Sequence, residues 1–235
     1  MNTIRTTQIQ VAEGVIDFGV GQPAEAILPL TYLRQAADHR FARADPTFLQ
    51  YGPEEGDGYF NATLAQFLTT EYGMTASGAT VQPEQLFVTN GVSQALDLIC
   101  TLYTKPGDLV FVEEPTYFLV YRIFLDHGLR IEPIPLTAAG MDLAILEEKL
   151  QQARPAFVYT IPTFQNPASV TMPQAQRDRL VALSQAYDFL LVVDEVYQML
   201  HYTATPPCPF ADYVEDAPIL AGFLLQNTGA GLRLG

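Results

Sequence analysis

Polar side chains follow several apolar runs of this sequence, at the points where buried strands are expected to end. Asp194 follows the apolar run 190–193, and Asn166 comes shortly after the run 157–160. A carboxylate at the end of a buried strand is costly unless a cationic partner compensates it, and a protonated ring nitrogen is one such partner. The structural alternatives are a helix cap for Asp194 and a plain turn at Asn166-Pro167.

Three further candidates could contact a flat, phosphate-bearing ligand. Gly91 precedes an expected helix, whose first residues Val92 and Ser93 would present backbone N–H groups suited to a phosphate. Tyr117 follows an apolar run and could stack on a ring. Arg233 lies in a glycine-flanked segment and could pair with a phosphate. The alternatives are an ordinary strand–turn–helix junction, a core or capping tyrosine, and a solvated arginine.

The elements that must position these residues alternate between short apolar strands and helices. Continuous apolar strands separated by helices predict an α/β fold, a three-layer αβα sandwich with a mainly parallel central sheet. Ligands of such sheets bind beyond the carboxyl ends of the strands, where the candidates above fall. Strands are expected at 86–89, 109–112, 130–134, 157–160, 190–193 and 219–221, and helices at 30–44, 92–103, 117–126, 143–152 and 173–187.

Composition excludes several classes of function. The chain has 235 residues, with 12 Lys and Arg against 26 Asp and Glu, a net charge of −14. This charge argues against nucleic acids and anionic membranes as partners. No apolar run reaches the roughly 20 residues of a membrane span, and Cys100 and Cys208 lie in no zinc-binding pattern. We expect a cytoplasmic protein without a metal site.

The order and spacing of these motifs resemble the fold type I pyridoxal-phosphate (PLP) aminotransferases, the aspartate-aminotransferase-like superfamily. The similarity is strongest to the branch with 2-aminoadipate and kynurenine aminotransferases. The motifs that carry it span most of the chain. They are Leu49-Gln50-Tyr51-Gly52-Pro53, Glu55-Gly56-Asp57, Thr89-Asn90-Gly91, Glu114-Pro115-Thr116-Tyr117, Asn166-Pro167, Asp194-Glu195-Val196-Tyr197 and Gly231-Leu232-Arg233-Leu234-Gly235.

The resemblance implies PLP as the cofactor and a role for each candidate residue. The backbone amides of Val92 and Ser93, together with Arg233, would hold the cofactor phosphate. Tyr117 would stack on the pyridine ring. Asp194 would pair with the protonated ring nitrogen and so keep the ring an electron sink.

The resemblance also implies the remaining contacts and the partners. Asn166 and Tyr197 would hydrogen-bond the phenolic oxygen of the ring, and Gly21 would lie near the substrate carboxylate. Tyr51 would reach the phosphate of a neighbouring subunit, which implies a homodimer. The substrates would be an amino acid and a 2-oxo acid. We expect an N-terminal arm at 1–29, a PLP-binding large domain at 30–235, and no small C-terminal domain.

One position departs from the family. Its members use a lysine that forms a Schiff base with PLP and moves the proton between substrate carbons. Counted back from Arg233, that position is Gln226, and the two lysines, Lys105 and Lys149, lie elsewhere in the sequence. We therefore expect impaired amino-group transfer. The alternatives are a non-catalytic PLP-binding protein, a degraded gene product, or another PLP reaction on the same fold.

The segment around Gln226 has a pattern of its own. Residues 223–230 read Phe-Leu-Leu-Gln-Asn-Thr-Gly-Ala, where the family usually has Ser-Phe-Ser-Lys-Ile-Leu-Ala-Pro. A one-base shift of a suitable coding sequence converts the first segment into the second, and the family pattern resumes at Gly231. We hypothesise a paired insertion and deletion in the gene or in its recorded sequence.

Overall fold

A parallel sheet flanked by helices forms the body of the protein. The computed structural model describes residues 14–16, 19, 23–71, 80–213 and 218–222. The strands are β1 (Leu109–Glu114), β2 (Arg130–Thr137), β3 (Gly140–Met141), β4 (Phe157–Thr160), β5 (Leu190–Asp194) and β6 (Ile219–Gly222). The α-helices are α1 (Leu30–Phe41), α2 (Gly58–Glu71), α3 (Val92–Tyr103), α4 (Phe118–Asp126), α5 (Leu143–Leu150) and α6 (Gln174–Tyr187).

The sheet has the strand order β3-β2-β1-β4-β5-β6. Among the described strands, the short β3 runs antiparallel to its neighbour β2, and the other pairs are parallel. The carboxyl ends of β1, β4 and β5 therefore lie side by side at one edge of the sheet. That edge is where residues following the strands meet.

Both faces of the sheet are covered because successive side chains point to opposite sides. In β1, Val110 and Val112 pack with residues of α3 and α4. Phe111 points the other way and packs with residues of α5 and α6. All three side chains are fully buried. A strand covered on both faces has no polar alternation, which explains the continuous apolar runs of the sequence.

The fold class predicted from the sequence is confirmed. Helix 92–103 and strand 157–160 have the predicted bounds, whereas α1 and α5 end earlier than predicted, at Phe41 and Leu150. The predictions contained neither α2 nor the antiparallel β3. Within the described ranges, no helix is long and apolar enough to cross a membrane.

The strand predicted at 86–89 is wrong. Leu86 has extended backbone angles, but the segment pairs with no other strand in the described part of the chain. Its Val88 N–H donates instead to the carbonyl of Glu55, at 2.9 Å. β propensity alone therefore did not produce a strand, because a strand also requires a neighbour that accepts its hydrogen bonds.

Candidate functional site

Asp194 ends β5 and is a buried charged group. Its side chain is 6% exposed. The Tyr159 hydroxyl donates to Oδ2 at 2.9 Å, and the backbone N–H of Val196 donates to Oδ1 at 3.3 Å. No Lys, Arg or His of the described ranges lies within ion-pair distance of this carboxylate.

Burial raises the pKa of Asp194 to about 6, and the hydrogen bonds from Tyr159 and Val196 oppose the rise. Desolvation disfavours the charged form, whereas neutral donors aimed at the oxygens favour it. Asp194 is therefore a carboxylate near neutral pH that is held by hydrogen bonds and lacks a cationic partner among the described residues. A cationic group placed beside it would stabilise its charged form.

Asn166 and Tyr197 meet at the same edge of the sheet. Asn166 lies in the loop after β4 and Tyr197 in the turn after β5, and the Asn166 Nδ2 donates to the Tyr197 hydroxyl at 3.2 Å. Both side chains are partly buried. The two residues that the sequence assigned to one oxygen of a ring are thus in direct contact.

Tyr117 caps the N-terminus of α4 and is half-buried at the margin of the core. It lies three residues after the end of β1, which places it at the same edge of the sheet as Asp194. The backbone of its loop is held by Gln165, whose Nε2 donates to the Pro115 carbonyl at 2.7 Å. The same nitrogen donates to Glu113 at 3.1 Å. Gln165 therefore ties the Tyr117 loop to the loop that carries Asn166.

Glu113 is the anchor of this connection. It is buried at the end of β1 and accepts hydrogen bonds from Thr160 Oγ1, the Ile161 N–H and Gln165 Nε2. Burial raises the pKa of Glu113 to about 7, and these three donors oppose the rise. Three donors converging on one carboxylate fix the spacing between β1 and the loop after β4.

The N-terminus of α3 supplies the candidate anion site. Gly91 caps the helix with φ of 83° and ψ of 165°, a backbone conformation that favours glycine. Val92 and Ser93 open the helix, so their N–H groups have no acceptor within it. Thr89, Val92 and Asp194 line one cavity of about 460 Å³, whose other walls are mostly apolar. The helix terminus and the buried carboxylate thus border the same space.

A buried ion pair lies beneath the site. Arg177 of α6 and Glu195 are both fully buried, with Nη1 and Oε1 3.7 Å apart. Arg177 also donates to the carbonyls of Met172, Cys208 and Pro162 and to the hydroxyl of Thr163. These bonds join α6 to the loops that follow β4 and β5.

Both lysines lie away from the site. Lys105 is in the turn that precedes β1, at the amino end of the sheet. Lys149, near the end of α5, binds Glu132 with Nζ and Oε1 2.5 Å apart. Neither amine is placed to act beside Asp194, as the sequence predicted.

Four predicted site residues lie outside the sheet edge or outside the described part of the chain. Tyr51 follows a short 3₁₀ helix and is fully exposed. Gly21, Gln226 and Arg233 lie outside the described residues.

Sequence reasoning missed Tyr159, Glu113 and Gln165. Tyr159 stands within an apolar run, and its signal was a phenol in a buried strand, which requires a hydrogen-bond partner. The donors to Glu113, Gln165 among them, are 47 to 52 residues away along the chain. The local sequence does not predict hydrogen bonds between residues so far apart along the chain.

Comparison with known proteins identifies the family of this chain. The family model described as aminotransferase class I and II matches residues 13–224. An aromatic-amino-acid aminotransferase of Thermococcus litoralis is 34% identical over 227 residues, covering 94% of this chain and 53% of the relative. A 2-aminoadipate transaminase of Thermus thermophilus is 32% identical over 189 residues, covering 80% of this chain and 45% of the relative.

A solved structure shares the fold at similar identity. The kynurenine aminotransferase of Pyrococcus horikoshii, crystallised with PMP, kynurenine and product, superposes with a TM-score of 0.82 at 32% identity. The match covers 92% of this chain and 54% of that protein, so the chain spans about half the length of the relatives it matches. By its match to the family model over most of its length, the chain belongs to the class I and II aminotransferases.

Proposed function

We propose that this chain binds PLP at the carboxyl edge of its sheet, as the cofactor-binding part of an aminotransferase. The observation that carries the proposal is Asp194, a buried carboxylate without a described cationic partner that borders the same cavity as the N-terminus of α3. The residues fit the group, because the helix terminus suits a phosphate and the carboxylate suits a protonated ring nitrogen.

In this proposal, each site residue at the carboxyl edge of the sheet contacts a defined part of the cofactor. Val92 and Ser93 offer backbone N–H groups to the phosphate, and Tyr117 offers an aromatic face to the ring. Asp194 holds the proton on the ring nitrogen. PLP supplies an electron sink for bonds at the α-carbon of an amino acid.

A further pair would contact the phenolic oxygen of the ring in this proposal. Asn166 and Tyr197 would act together, since their mutual hydrogen bond brings the two polar groups within reach of one ligand atom. Arg233 and Gly21 complete the phosphate and substrate contacts by family position.

The proposed reaction is amino-group transfer between an amino acid and a 2-oxo acid. Gln226 leaves the chain as written without an amine at the position where the family has one, and Lys105 and Lys149 lie far from the site. We therefore propose that this chain binds the cofactor with negligible turnover. A non-catalytic PLP-binding protein is the second candidate, and it is favoured if Gln226 is confirmed in the gene.

The gene sequence decides between these candidates. The family match ends at residue 224, inside the segment that differs from the family by a one-base shift. Sequencing the source DNA across codons 220–235 is expected to show a reading error, with lysine at position 226 once corrected. Codons that cannot be shifted to give lysine there would end this hypothesis.

We also propose a homodimer in which Tyr51 contacts the cofactor phosphate of its partner. Tyr51 is fully exposed, and four other large apolar side chains between residues 32 and 59 are exposed as well. They are Tyr32 (75%), Phe41 (63%), Leu49 (75%) and Tyr59 (68%). Exposed apolar side chains mark an interface where they form one patch, and we propose that these residues do so at the dimer contact.

Binding of pyridoxamine 5′-phosphate tests the cofactor site. This ligand lacks the aldehyde, so it does not react with Lys105 or Lys149. We expect saturable binding by the 235-residue chain, and a loss of at least about tenfold in Asp194→Asn, which removes a charge-assisted hydrogen bond.

The matched control is Asp188→Asn. Asp188 lies just before β5, is largely exposed and has the left-handed backbone that asparagine adopts readily. Its replacement should leave binding unchanged. Absence of saturable binding by the folded wild-type chain contradicts the proposed function.

A further inference from the structure

The hydroxyl of Tyr159 is the only side-chain donor that contacts Asp194 in the described part of the chain. Its oxygen lies 2.9 Å from Oδ2, and both residues are buried. Tyr159 of β4 is in register with Val192 of β5. Val192 comes two residues before Asp194 on the same strand, so its side chain and that of Asp194 point to the same face. The side chains of Tyr159 and Asp194 therefore emerge on the same face of the sheet, the face covered by α3 and α4.

The ring of Tyr159 is fixed by packing. Phe124 of α4 meets it edge-on, with ring centroids 5.8 Å apart, and the tyrosine side chain has no exposed surface. Its hydroxyl has one polar partner among the described hydrogen bonds, Asp194. A rigid ring that ends in one donor fixes the position of the oxygen that accepts from it.

We propose that Tyr159 is a positioning residue, which holds Asp194 in the orientation that meets the ring nitrogen of the cofactor. The inference rests on the proposed function, because the ring nitrogen belongs to the proposed ligand. The hydroxyl donates to Oδ2, and the Val196 N–H donates to Oδ1. The remaining lone pairs of the carboxylate are left for a group in the cavity that Asp194 lines.

The variant Tyr159→Phe keeps the ring and removes only the donor. We expect its affinity for pyridoxamine 5′-phosphate to fall about tenfold, since a hydrogen bond to a charged group is lost. The hydroxyl also favours the charged form of Asp194. Without it, the pKa of Asp194 rises, so the acid limb of the affinity profile moves to higher pH.

Other titratable groups near Asp194 or Tyr159 do not confound this profile. They are Glu113 at the end of β1, Glu195 next in the chain and Tyr117 before α4. All three are present in both proteins. A difference between the profiles of wild type and Tyr159→Phe therefore reports on the missing hydroxyl.

A ligand analogue separates positioning from general structure. In this analogue of pyridoxamine 5′-phosphate, a C–H group replaces the ring nitrogen. We expect wild type and Tyr159→Phe to bind it with equal affinity, because Tyr159 acts through the contact that the analogue lacks. Equal weakening of both ligands in Tyr159→Phe indicates a structural role and overturns the inference.

A second variant covers the case in which Tyr159→Phe does not fold. Site-specific replacement of Tyr159 by 3-fluorotyrosine retains the hydroxyl and makes it a stronger donor. For this variant we expect wild-type affinity or better, with the acid limb of the affinity profile moved to lower pH. An unchanged acid limb contradicts the inference.

If wild type itself does not bind pyridoxamine 5′-phosphate, the proposed function fails as well. Normal binding with no effect of either variant removes the inference alone.

Discussion

Replacing Arg177 by methionine should lower the free energy of unfolding by about 4 kcal/mol at neutral to mildly alkaline pH. The guanidinium has no exposed surface and donates to three carbonyls and one hydroxyl. Methionine fills much of the volume but donates nothing. Buried acceptors that lose their donor cost roughly 1–3 kcal/mol each, and the Glu195 carboxylate loses its cation.

The loss should depend on pH. Burial raises the pKa of Glu195 to about 7, while the Phe210 N–H and the charge of Arg177 oppose the rise. Removing Arg177 raises this pKa further, so the folded variant binds a proton that the unfolded chain does not bind. Its stability therefore falls as pH rises from the ordinary glutamate value through the folded value. At about pH 5.5 the loss should shrink to roughly 2 kcal/mol.

Chemical denaturation at both pH values measures these losses. Arg179→Met is the matched control, since Arg179 is on the same helix with its side chain 49% exposed and a surface ion pair to Glu147. It should cost less than about 1 kcal/mol at either pH. Equal losses for Arg177→Met and Arg179→Met, or a larger loss for Arg177→Met at the lower pH, would refute the reasoning.

Three other outcomes are expected. Gly91→Ala should cost about 1–3 kcal/mol of stability by denaturation, because alanine is strained at φ of 83°, and should weaken pyridoxamine 5′-phosphate binding. Replacing residues 223–230 by Ser-Phe-Ser-Lys-Ile-Leu-Ala-Pro should give PLP attached at position 226 after borohydride reduction, seen by peptide mass spectrometry; no attachment there contradicts the lysine assignment. Tyr51→Phe should weaken pyridoxamine 5′-phosphate binding in the dimer alone, measured by titration across the dissociation range; an equal effect in the monomer contradicts a role across the interface.

The sheet was predictable because strands buried on both faces appear in the sequence as continuous apolar runs. Leu109 to Val112 and Phe157 to Thr160 are short apolar runs between helices, and both form strands. The segment 86–89 has the same composition and forms none, because pairing depends on a neighbour that local sequence does not reveal. The predicted helices 30–44 and 143–152 were too long for a similar reason. The structure ends them at Phe41 and Leu150, and where a helix terminus frays depends on tertiary contacts.

The sequence predicted the site residues at the strand ends, but not the buried residues that support them. Asp194, Asn166, Tyr197 and Tyr117 follow strand ends, so topology alone brings them to one edge. Their supports, such as Tyr159 beneath Asp194, depend on contacts between distant parts of the chain. A phenol in a buried strand indicates that Tyr159 needs a hydrogen-bond partner, but the structure is needed to identify that partner.

A crystal structure of this chain with pyridoxamine 5′-phosphate tests the central claim most directly. We predict that the ring nitrogen lies within hydrogen-bond distance of Asp194, with the phosphate at the N-terminus of α3 and the ring against Tyr117. A ligand bound elsewhere, or one whose ring nitrogen faces away from Asp194, would contradict the account.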